Sequence, residues 1–162
     1  MEAMKHDVLR RELVALLSRA QAHALPEAVF AKVPPELRHA RPPGGAHSLW
    51  EVLEHLRIAQ HDILRYVLEP GWESPPFPDG YWPDPAAAPD ETAWSESLGA
   101  FEADRGRLVE LARDPEVDLT AALPHAPKHT YLRELLVVAD HNAYHAGQAV
   151  EIRRALGDWP PD

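Results

Sequence analysis

The sequence predicts an all-α fold, a four-helix bundle, on three observations. Four stretches of the 162-residue chain carry apolar residues at helical spacing, proline-rich segments separate them, and no strand-like alternation competes. A chain of this length buries a hydrophobic core without disulfides or a structural metal, so residues 1–162 are expected to form one domain.

The first helix is expected from Glu2 to His23, with Leu9, Leu13, Leu16, Leu17 and Ala20 on its inner stripe. Pro26 suits the start of a short extra turn that ends before Pro34 and Pro35, because proline at a first helical position gives up no hydrogen bond. The second helix has the clearest entry signal. In Ser48-Leu49-Trp50-Glu51 the serine side chain accepts from the backbone of Glu51 while the Glu51 carboxylate reaches back, a capping box, and the helix runs to Leu68 before Pro70-Gly71.

Residues 69–90, EPGWESPPFPDGYWPDPAAAPD, hold too much proline for either regular element. Their aromatics, Trp72, Phe77, Tyr81 and Trp82, suggest a loop packed onto the bundle as surface cover or in contact with a substrate. A crossover of this length between the second and third helices lets those two run parallel. The third helix spans Glu91 to Arg113, with Trp94, Leu98, Phe101, Leu108, Leu111 and Ala112 inward, and Asp114-Pro115 closes it. After a loop ending at His129, Thr130 caps a fourth helix that continues to Leu156 and stops at Gly157.

Composition excludes several functions. Sixteen Lys and Arg against twenty-six Asp and Glu give a net charge of −10 with no basic stripe, so nucleic acid and anionic membranes would be repelled. No cysteine is present, which removes disulfides, thiolate ligands and a cysteine nucleophile, and leaves any metal to His, Asp or Glu. The apolar run Leu13 to Leu17 is too short for a signal peptide or a membrane span, and a cytoplasmic location is expected.

Ten histidines are present, and position separates them. His6, His23, His39, His125 and His129 fall at helix ends or in loops, where a solvated imidazole is expected. His141 and His145 form an i, i+4 pair that points both rings the same way, with Cβ atoms about 5–6 Å apart. On the fourth helix Glu134, Val138, His141, His145, Gln148 and Ile152 project onto one stripe, beside an apolar face of Leu132, Leu136, Ala139, Ala143, Ala146 and Val150. His55 borders the second helix's stripe of Val52, Leu56, Ala59 and Ile63, so a third imidazole can approach the pair. His47 precedes the capping box, and His61 projects about 120° away from His55, which removes His61 as a co-ligand.

Two readings stand on spacing alone: one ion shared by three rings, or separately hydrogen-bonded histidines at the core edge. Three imidazoles would leave a position open for water or substrate, the pattern of a catalytic centre, suited to zinc, nickel, iron or cobalt. Asp62, on nearly the same side of its helix as His55, is the candidate catalytic helper, able to accept from a ring N–H or manage a proton; Gln148 and Glu134 are further acceptors. Asp79 or Asp84 could fill the open position.

The segments HSLWEVLEHLRIAQHDIL (47–64), PDGYWPDP (78–85) and LRELLVVADHNAYHAGQAVEIRRALGDW (132–159) together resemble the DinB-like superfamily across nearly the whole chain. The resemblance implies a four-helix bundle with a long crossover between the second and third helices, often dimeric, and three metal-binding histidines whose pattern falls on His55, His141 and His145. It also implies, by analogy with thiol S-transferases and a thiol-dependent isomerase, a small-molecule substrate such as a low-molecular-weight thiol. The competing readings are a metal-dependent hydrolase, and a non-catalytic, stress-associated metal-binding or dimerisation protein whose site would be closed by a fourth side chain.

Overall fold

Capping side chains and prolines set most of the helix boundaries. The computed structural model describes residues 2–161, with side chains from residue 7 onward. In chain order the elements are α1 (Glu2–Ser18), α2 (Pro26–Phe30), α3 (Pro35–Arg38), α4 (Leu49–Leu68), a 3-10 turn (Asp79–Tyr81), α5 (Glu91–Arg113), β1 (Ala122–Leu123), β2 (Ala126–Thr130) and α6 (Tyr131–Ala155). His6 lies outside the side chains described.

The predicted caps are in place. Ser48 Oγ accepts from Glu51 N at 3.3 Å and Ser48 N donates to the Glu51 carboxylate at 2.7 Å. Thr130 caps α6 by accepting from Arg133 N, and Gly157, at φ +78°, takes the left-handed conformation just past α6; Asp90, which the sequence reading did not single out, caps α5 by accepting from Ala93 N. Two expectations need correction. The first helix ends at Ser18, not His23: the Ser18 hydroxyl donates back to Val14 O at 2.6 Å, and Arg19 N closes the last turn on Ala15 O. The chain also has strands, since β1 and β2 pair as an irregular antiparallel ribbon before α6. A two-residue strand is shorter than any window in which alternation registers.

The fold is mostly helical. α4 packs against both α5 and α6, and α1 packs against the same two helices. Two apolar clusters fill the interior. One joins Val29, Phe30 and Val33 to Leu49, Leu53 and Leu56 of α4, Trp94 and Phe101 of α5, and Ala149 and Ile152 of α6. The other joins Leu13 and Leu17 to Leu64, Leu108, Ala112, Leu119, Leu135 and Val138. Gln60 and Asn142, both buried, make a polar tie: Gln60 Nε2 donates to Phe101 O at 2.7 Å, and Gln60 Oε1 accepts from Asn142 Nδ2 at 2.9 Å. A buried amide–amide bond of this kind tolerates little slippage, so it sets the height of α6 against α4.

The inner face of α6 differs from the projection. Leu135 and Asn142 are buried, whereas Leu136 is 45 % exposed, as is Leu16 on α1. No helix among the described residues is long and apolar enough to cross a membrane.

Candidate metal centre

α4 and α6 carry the candidate residues. The capping box starts α4 at a fixed residue, and seven residues after Ser48 His55 falls on its inner side, 8 % exposed. The i, i+4 spacing puts His141 and His145 on one side of α6. With the two helices held by the Gln60–Asn142 tie, the three rings meet. His55 Nε2 lies 3.1 Å from His145 Nε2 and 3.0 Å from His141 Nε2. Among the described residues this trio is the group of His, Cys, Asp or Glu side chains close enough to share an ion, its ligand atoms all within 4.8 Å of one another.

The outer nitrogens decide what the inner ones present. His55 Nδ1 lies 2.8 Å from the Tyr81 main-chain oxygen, which only accepts, so Nδ1 carries the hydrogen and Nε2 carries a lone pair. His145 Nδ1 donates to Gln148 Oε1 at 2.8 Å, with the same consequence. Two lone pairs therefore face each other at 3.1 Å, an arrangement that repels unless a cation lies between them. Nitrogens bound to a tetrahedral ion at roughly 2.0–2.1 Å sit about 3.3 Å apart, so the spacing fits a metal with little adjustment. His141 alone has an inner nitrogen free to be donor or acceptor.

Burial keeps the rings neutral. It pushes His141 down to about 4, with His145 and His55 adding to the shift by charge repulsion. His55 is lowered chiefly by burial, against the opposing Tyr81 carbonyl bond, and His145 by burial against its bond to Gln148. Neutral imidazole is the ligand form, so none of the three must lose a proton near neutral pH to bind a metal.

Residues 69–90 form one wall. Trp82 stacks flat on His55, ring centroids 3.9 Å apart and 4° between planes, and also stacks on His47 at 4.1 Å. Tyr144, 73 % exposed, meets His145 edge-on at 4.9 Å, so the trio lies just beneath the surface.

Other candidates are placed as follows. Asp62 does not accept from the His55 ring; its oxygens accept from Trp72 Nε1 at 2.8 Å and the Tyr81 hydroxyl at 2.7 Å. Gln148 is an acceptor as expected. Glu134 lies instead against Arg133 and His129. His61 donates to Asp104 at 2.7 Å, away from the trio. Neither Asp79 nor Asp84 joins the cluster, and Asp84 turns to Ala86 N. His125 and His129 are bonded to Tyr66 rather than simply solvated. Sequence reasoning missed Tyr81 O, Trp82 and His47 as parts of the site; their one signal was the aromatic pair inside PDGYWPDP.

The family model of the DinB superfamily matches residues 10–149. No curated protein and no solved structure matches the chain.

Proposed function

This chain belongs to the DinB superfamily, and from that premise we propose that it is a metal-dependent enzyme in which His55, His141 and His145 hold one divalent cation. The observation that carries the proposal is the pair of inward lone pairs on His55 and His145: a neutral His141 can donate its one inner N–H to His55 and leaves the other lone pair unmet, whereas a cation satisfies both. Zinc, nickel or iron suits three imidazole nitrogens.

In this reading the reaction is transfer of a low-molecular-weight thiol to an electrophile. A divalent ion there supplies Lewis acidity toward a thiol or water. The chain has no cysteine, so the sulfur nucleophile comes from a co-substrate. Tyr81 O and Gln148 hold two rings in the ligating tautomer, Trp82 keeps water from one face of His55, and Tyr144 lines the exposed flank where the substrate enters. A hydrolase would need a carboxylate or imidazole beside the trio to manage protons, and Asp62, engaged on both oxygens, is not free for that role. Among the described residues no fourth His, Asp or Glu side chain joins the trio, which favours catalysis over a purely structural metal.

We take residues 1–162 as one cytoplasmic domain, with α1, α4, α5 and α6 forming the crossover-connected bundle. Supporting this are the packing of α4 and α1 against both α5 and α6 and the long segment between α4 and α5. A homodimer is part of the same reading. Two adjoining surface grooves share Leu132 and Leu136, and Leu9, Leu13, Leu16 and Val137 complete their apolar lining. Arg133 and Asp140 flank Leu136 and Val137 symmetrically, so two antiparallel copies of α6 bring Arg133 of each to the partner's Asp140.

Elemental analysis of untagged protein tests the central claim. Wild type is expected to carry about one first-row metal per chain and His145→Ala close to none. A metal-free wild type, with the substitution changing neither metal content nor stability, would overturn it. The reaction is tested separately: a panel of thiols with a chromogenic electrophile should show a metal-dependent rate, and no rate above blank counts against thiol transfer.

A further inference from the structure

The proposed reaction leaves one buried acid without a task. Asp62 is 7 % exposed on α4, two helical turns beyond His55. Its carboxylate holds both ends of a strap running over the helix. Trp72 donates its indole N–H to Oδ1 at 2.8 Å, and Tyr81 donates its hydroxyl to Oδ2 at 2.7 Å. The Arg65 guanidinium lies over the Trp72 ring at 4.4 Å and clamps the same end. Burial, with the Asp62 bond second, pushes Tyr81 up to about 12, so its hydroxyl remains a donor throughout the ordinary pH range.

Tyr81 spans two residues of one helix. Its side chain is fixed on Asp62 while its main-chain carbonyl receives the His55 Nδ1–H at 2.8 Å, and the next residue, Trp82, lies flat on the His55 ring. Without that carbonyl the ring also populates the form with hydrogen on Nε2, which presents no lone pair to the other two rings. The side chain that orients His55 is thus not adjacent to it.

We propose that Asp62 is a positioning residue for the centre: by anchoring Trp72 and Tyr81 it holds the Tyr81 carbonyl on His55 Nδ1 and keeps the Nε2 lone pair aimed at the other two rings. The coupling runs through the strap, and its polarity is built into the partners. Two donors face Asp62, so a carboxylate satisfies both. An asparagine there would turn its own N–H groups toward one of them.

The test uses full-length protein without a tag, stripped of metal, in wild type, Tyr81→Phe and Asp62→Asn. Tyr81→Phe keeps the carbonyl and the ring and deletes only the anchoring hydroxyl, so it serves where Asp62→Asn folds poorly. Calorimetric titration with Zn2+ is expected to show binding weakened about 10–100-fold in each variant. Long-range 1H–15N spectra of the metal-free protein should show His55 as a single Nδ1–H form in wild type and as a mixture in the variants. Affinity within twofold of wild type, with His55 still wholly Nδ1–H in Tyr81→Phe, would overturn the proposal. The affinity arm rests on the metal-centre reading and the spectral arm does not. If wild type binds no divalent metal, that reading falls, and the His55 tautomer in Tyr81→Phe still decides the role of the strap.

Discussion

A half-buried phenol bonded to a buried carboxylate holds its proton tightly, and that proton gives Tyr81 a measurable signature. Folded Tyr81 keeps it up to about 12, whereas the unfolded chain releases it near 10. Between those values the folded state binds more protons, so stability falls as pH rises; the contribution is intact below about pH 10 and lost toward pH 12. The gap in urea midpoint between wild type and Tyr81→Phe should therefore shrink from about pH 9 to about pH 11.5. A gap that stays constant would mean the hydroxyl is not held as described. At this scale the His141–His145 pair was readable from the sequence because backbone geometry alone aligns i and i+4. The acceptor for His55 was not readable. It is a main-chain carbonyl, which every residue has, delivered by a loop whose path no periodicity encodes. Asp62, chosen for its proximity on the helix wheel, contacts that loop instead of the ring.

Among the elements, α4 and α6 must meet at one height for three rings to converge, and the buried amides set that height. Gln60→Leu keeps the volume of the side chain but leaves Asn142 Nδ2 without its acceptor, which should cost about 1–3 kcal/mol in urea unfolding. Adding Asn142→Leu removes the orphaned amide, so the double variant should be more stable than the sum of the two single losses predicts. Strictly additive losses would show that the amides are not coupled. The starts of these helices were legible because caps are local: Ser48 and Thr130 each bond the backbone three residues on. The ribbon of β1 and β2 was not legible, because β1 has only two residues and β2, Ala126–Thr130, carries no apolar–polar alternation. Nor was the end of α1 at Ser18, where a hydroxyl returning to Val14 O competes with continued helix.

For the molecule as a whole, hydrophobic periodicity reports every face that a helix covers, whether its own chain or another molecule does the covering. Leu16 and Leu136 read as core in the sequence, yet each is 45 % exposed and both line the groove between α1 and α6. In the proposed homodimer a second copy would cover both leucines, and its register can be tested. Antiparallel pairing of α6 centred between Leu136 and Val137 brings Arg133 to the partner's Asp140 twice, once on each side of the two-fold axis. Arg133 already pairs with Glu134, and its five donors allow it to serve both acids. Sedimentation velocity on wild type should give a dimer, and Leu136→Asp, which places two charges at the centre of the contact, should give a monomer. Arg133→Asp turns two attractive contacts into two repulsive ones, about 1–2 kcal/mol in all, and should raise the dimer Kd roughly tenfold or more. Combining it with Asp140→Arg restores both pairs with their signs exchanged and should return the Kd to near the wild-type value. If wild type is monomeric, or if the exchange fails to rescue the single reversal, then α6 is not paired in this way and the two leucines are covered by something other than a second copy.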